Sequence, residues 1–246
     1  MHYIFSRALG AFIFSIGVSL PSTKERTSSY KVSKLKVPME ANSRWDAPQW
    51  RKIKAIDIAN YMGEIPKLKP KVQAKMMYGK DAIYLIYRVR GFDIHCLTHE
   101  YNGPVWHDNA VEFFFSPDTS FPKSYFNLEI NCCGIPYMGY YNSLKNESVI
   151  IDTNDIKKII IKHSLPERIE SEINGPVEWT IYFEIPFDIL MKYSKVILPK
   201  PRVIWRANFY QIADRGTNPH YMTWSFVDNP TPNFHLPQYF GRLVFQ

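Results

Sequence analysis

The sequence predicts an all-β fold, an antiparallel β-sandwich of jelly-roll type with at most one or two short helices. Three observations carry this prediction. Apolar and polar residues alternate with period two along several segments. Turn residues separate those segments at short intervals, and a helical period is nearly missing. At 246 residues, with 46% hydrophobic and 22% charged residues, the chain has the composition of a globular protein and the length of one sandwich domain. That composition excludes disordered, collagenous and coiled-coil classes.

Taken in order, the first element is an uncharged run over residues 8–20, preceded by Arg7. Its length matches the apolar region of a secretory signal and falls short of the roughly 20 residues of a spanning helix. Residues 1–20 are therefore expected to direct export, to the periplasm or the extracellular space. Residues 21–36, rich in Ser, Thr and Lys, read as a linker, and the folded domain is expected over 37–246.

Within that domain, Ile83, Leu85, Tyr87 and Val89 alternate with Tyr84, Ile86, Arg88 and Arg90. Phe126, Leu128 and Ile130 alternate with Tyr125, Asn127, Glu129 and Asn131. Further strands are expected at 72–78, 110–115, 157–162, 177–185, 203–212 and 242–245. Pro186 opens the one clear helix, 186–193, on which Ile189, Leu190 and Tyr193 share a side.

Alternation also assigns faces. Val203, Trp205, Ala207 and Phe209 oppose Arg206, Asn208 and Tyr210. The polar set, with Asn127, Glu129 and Asn131, is expected on one sheet face, and such side chains hydrogen-bond hydroxyls in fixed directions. Trp106 lies in a loop after Gly103 and Pro104, where its ring can be presented to a ligand. Asp108 and Glu112 follow it. Residues 218–226 and 233–237 form a second aromatic, Pro-containing loop region, and loops carry function more often than strands.

The excess of 30 Lys and Arg over 23 Asp and Glu, a net charge of +7, is spread along the chain and indicates no nucleic-acid partner. No segment after residue 20 is long and apolar enough to span a membrane. Of the three cysteines, Cys96 can pair with Cys132 or Cys133, although buried free thiols are the simpler expectation. His95 and His99 do not complete a zinc set. Phosphate-binding loops, hydrolase elbows and zincin motifs are missing.

The ordered segments 45–50 (WDAPQW), 105–112 (VWHDNAVE), 125–131 (YFNLEIN), 205–210 (WRANFY) and 234–241 (FHLPQYFG) resemble the family 9-like carbohydrate-binding proteins, which are akin to the family 9 modules of xylanases. The resemblance implies a β-sandwich that binds an oligosaccharide or polysaccharide without turning it over. It implies a slot with two stacking aromatics, Trp106 being the first, and Trp224, Phe234 or His235 the second. Glu112 matches an acid of that slot. No cofactor is required, and the resemblance further implies structural calcium, with Asp108 in the segment concerned.

Two other classes compete. Glu112 and Glu129 on neighbouring strands are the carboxyl pair a glycoside hydrolase would use. Met222 or Met138 with His220 or His235 would supply axial ligands to haem in an electron-transfer sandwich. The polar neighbours Asn127, Asn131 and Arg206 lead one to expect Glu129 to be ionised.

Overall fold

The structure is a computed structural model that describes residues 28–120 and 122–246. The export signal expected at 1–20 lies outside the described residues. Among the described residues, fourteen strands form one curled, mixed sheet. They are β1 (Ser29–Lys34), β2 (Ile56–Ile58), β3 (Asn60–Met62), β4 (Lys71–Tyr78), β5 (Ala82–Ile94), β6 (Asn109–Ser116) and β7 (Tyr125–Asn131). Then follow β8 (Pro136–Asn142), β9 (Glu147–Ile150), β10 (Ile160–His163), β11 (Ile173–Pro186), β12 (Ile204–Ala213), β13 (His220–Thr223) and β14 (Gly241–Phe245). Two short helices, α1 (Thr153–Ile156) and α2 (Phe187–Tyr193), complete the fold.

The strand order β10-β11-β5-β4-β1-β14-β12-β6-β7-β8-β9 folds back at β1. That strand pairs in parallel with β14 through residues 29–32 and with β4 through residues 33–34. The antiparallel sandwich expected from the sequence is present, with β1 as its one parallel departure, and β1 also places a strand inside the stretch read as linker. Residues 29–34 read as linker because Lys31, Ser33 and Lys34 mask the alternation of Tyr30 and Val32, both of which are buried. The short segments β2, β3, β8, β9 and β13 also went unread. The expected strand at 157–162 is realised later, as β10, because residues 153–156 form α1.

The two halves of the sheet face one another across an apolar core. Val89, Leu85, Tyr87 and Phe183 on β5 and β11 meet Phe113, Phe115, Leu128 and Phe209 on β6, β7 and β12. Tyr87 stacks on Phe183 at 5.8 Å and lies 6.1 Å from Phe209 between ring centroids. Its hydroxyl donates to the Glu112 carbonyl at 2.8 Å, which satisfies a polar atom that full burial would otherwise leave costly. Cys96 and Cys133 are joined as a disulfide and Cys132 is buried and free, so the expectation of three free thiols is corrected.

Strand β6 is buried on both faces. Val111, Phe113 and Phe115 enter the main core, whereas Ala110 and Phe114 join a second cluster with Tyr125, Tyr210, Phe234 and Phe240. The C-terminal segment lies over this outer face. Whatever part of the face it leaves open is the concave surface available to a ligand. Among the described residues, no helix is long and apolar enough to cross a membrane.

Candidate functional site

The register of β12, β6, β7 and β8 sets four side chains in one row, Tyr210, Glu112, Glu129 and Tyr137, each directly opposite the next. The neighbouring row holds Asn208, Phe114, Asn127 and Gly139. Because pleat alternation is strict, all the polar residues expected on this face share it. A cavity of about 330 Å³ opens over part of the face, near the lower end of the ~300–1,000 Å³ usual for ligand sites.

Glu112, Asn127 and Glu129 form the polar floor, with Trp106, Tyr137, Phe234 and His235 among the surrounding walls. The Asn127 amide donates to Glu129 Oε1 at 3.0 Å, while Glu129 Oε2 is buried without a partner. Gly139 permits this arrangement: a Cβ there would stand 2.6 Å from Asn127 Oδ1. Glu112 and Glu129 are 2% and 4% exposed. Burial, and then the Glu129 charge beside it, push Glu112 well above the ordinary carboxylate range. Burial raises Glu129 to about 7, against the opposing hydrogen bond from Asn127. The expectation of a fully ionised Glu129 is thus corrected: desolvation outweighs one amide donor.

Trp106 sits on a 3₁₀ turn, Val105–His107, half-buried with its ring edge-on to Tyr137 at 5.5 Å. His235 is exposed at the rim, where its Nδ1 is 2.9 Å from the Tyr125 hydroxyl and partial desolvation of the ring lowers its pKa. Phe234 stacks on Tyr210 at 4.1 Å, which fixes one wall. On another side Tyr221 donates to Asp214, whose second oxygen meets His107 Nδ1 at 2.8 Å. Burial opposes ionisation of Asp214, but the bonds from Tyr221 and His107 hold its pKa below the usual value.

Six of the twelve expected site residues line the cavity: Trp106, Glu112, Asn127, Glu129, Phe234 and His235. The other six are engaged elsewhere. Asp108 accepts from the backbone of Leu97 and Thr98 and, with Asn131 as third donor, pins the loop that carries Trp106. Arg206 donates to the carbonyls of Phe240 and Gly241. Asn208 exchanges two hydrogen bonds with the Ser225 backbone, and the Tyr210 hydroxyl donates to the Phe234 carbonyl. Trp224 turns to the main core, edge-on to Phe209 and against Gly241, where a Cβ would come within 2.6 Å of its ring. Sequence reasoning missed Tyr137, Ile212, Tyr221, Pro232 and Asn233 in the lining.

The carboxylate of Asp108 does not suit calcium, since its three donors are all N–H groups and cation sites present oxygens. Among the described residues, the one cluster of metal-ligating type is Cys96, Cys132 and Cys133, two of which form the disulfide. The haem ligands are engaged as well, His235 through its Nδ1, 2.9 Å from the Tyr125 hydroxyl. Both His220 nitrogens are engaged, with the Asn218 carbonyl at 2.6 Å and Gln211 Oε1 at 2.8 Å, and Met138 and Met222 are packed in the main core.

The sequence profile of carbohydrate-binding family 9 matches residues 46–245, nearly the whole of the folded part. The chain belongs to carbohydrate-binding family 9. A search of curated proteins finds no significant match. Among solved structures, a protein of Bacteroides uniformis proposed to bind carbohydrate superposes with a TM-score of 0.79 at 23% identity, over 89% of this chain and 100% of that one. A family 9 module from Caldicellulosiruptor kristjanssonii, in complex with cellotriose, gives 0.59 at 14% identity over 89% and 94%. The same kind of module in complex with glucose gives 0.55 at 14% identity over 89% and 96%. At these identities the likeness is one of fold.

Proposed function

We propose that this family 9 chain binds carbohydrate non-catalytically, taking a sugar ring into the cavity beside Trp106. One observation supports this above the others: an aromatic-walled cavity whose buried floor holds two carboxyls and an amide, one carboxyl oxygen being unpartnered. Aromatic faces stack on the C–H patches of a sugar while carboxyls and amides bind its hydroxyls. The complexes of the family 9 modules with cellotriose and glucose agree with such a ligand. Calorimetric titration with cellotriose and glucose tests the reading. Saturable binding of either is expected, and its absence for both overturns it.

A hydrolase reading calls for two carboxyls flanking the scissile bond, about 5–9.5 Å apart depending on mechanism. Here both project from adjacent strands of one face, directly opposed, so they approach a ring from the same side. New reducing ends appearing on incubation with oligosaccharides, and lost in Glu112→Gln, would overturn the non-catalytic reading. We further propose that the uncharged run at 8–20 exports the chain, in keeping with a role in polysaccharide capture outside the cytoplasm.

A further inference from the structure

We propose that the cavity selects an amino sugar bearing a free ammonium group over its neutral counterpart. This rests on the carbohydrate-binding reading and names the chemical class of ligand. Glu112 and Glu129 stand directly opposite one another on β6 and β7, both more than nine-tenths buried, and both line the cavity. Glu129 Oε2 has no hydrogen-bond partner. The cavity lining contains no Lys or Arg. His235, exposed at the rim, is the one lining residue able to become cationic, and partial desolvation of its ring lowers its pKa.

Two adjacent buried carboxyls without a counter-charge do not both ionise, so the pair keeps a proton when a neutral ligand is bound. A ligand ammonium supplies the missing counter-charge, lets that proton leave to solvent, and gives the Glu112–Glu129 pair a charge-assisted hydrogen bond, about twice as strong as a neutral one. The walls favour the same ligand, because the faces of Trp106, Tyr137, Tyr221 and Phe234 attract cations as well as sugar C–H groups. A neutral sugar would use the hydrogen bonds and leave the electrostatic mismatch standing. An amino sugar uses both.

The test compares three trimers of matched size by calorimetry at pH 7: cellotriose, fully deacetylated chitotriose and N-acetylated chitotriose. The deacetylated trimer is expected to bind about tenfold tighter than cellotriose, and the N-acetylated trimer, which lacks the charge, no tighter than cellotriose. In Glu129→Gln the ratio of the two affinities should fall to near one, and Glu112→Gln serves where that variant does not fold. A deacetylated trimer that binds no tighter than cellotriose overturns the inference and leaves the binding reading intact. A tightening equally present for the N-acetylated trimer, or unchanged in both variants, overturns it as well. Failure of all three trimers to bind overturns both readings.

Discussion

Glu112 and Glu129 face one another across β6 and β7, and both are buried at the floor of the cavity. The pair makes the fold sensitive to pH. The folded pKa of each lies above the ordinary value of 4.5, near 7 for Glu129. The folded state therefore holds protons that the unfolded state has lost. The stability from this pair is present below about pH 4.5 and declines as pH rises through 7. Thermal unfolding should show a falling melting temperature over that window, with a cost of about 1.4 kcal/mol for each pKa unit. Glu129→Gln should flatten the slope. The facing tyrosines Tyr87, Tyr125, Tyr137 and Tyr210 are all raised above 10 and stay neutral throughout. His235 is lowered, so its effect has the opposite sign and persists in the variant.

Trp106→Ala should weaken cellotriose binding with little loss of stability, because the ring is half-buried on a surface turn. Loss of an aromatic stacking face costs about 1–3 kcal/mol, roughly five- to 150-fold in affinity. Calorimetry and a melting curve on the same sample check both parts.

Asp108→Ala should do the reverse in the first instance. It removes the acceptor of three N–H groups in a partly buried loop, at a cost of about 1–3 kcal/mol for each group that water does not reach. The melting temperature should fall steeply, and sugar binding should weaken because the Trp106 turn is no longer held. Restored affinity in Asp108→Asn would mark the role as positioning.

The Cys96–Cys133 disulfide closes a span of 37 residues beside the same loop. Replacing both cysteines by Ala should lower stability by about 2–4 kcal/mol, read as a shift in denaturant midpoint between variant and parent.

What the sequence revealed follows from which faces are buried. Strands β5, β7, β11 and β12 were legible because each sets a continuous apolar row into the main core. Strand β8 was not, since Pro136 and Gly139 interrupt the pattern of a strand that nonetheless pairs with β7 along its length. With β8 unread, Tyr137 could not be placed at the site, whereas Tyr221 fell inside the functional loop region 218–226 without being singled out from it. The alternation of Tyr137 with Met138 was the available signal for the first. Arg206, Asn208 and Tyr210 do share the face of Glu112, yet their polar groups bind the backbone at Ser225, Phe234 and Phe240. Period-two alternation tells which face a side chain is on. It carries no information about which part of that face a distant loop covers.

Whether the cavity beside Trp106 receives the sugar is decided by a crystal structure of the chain with cellotriose. A terminal ring is expected in the cavity, against Trp106, with hydroxyls bonded to the Glu112 and Glu129 carboxyls. A ring bound elsewhere, with the Glu112–Glu129 floor left to solvent, would contradict it.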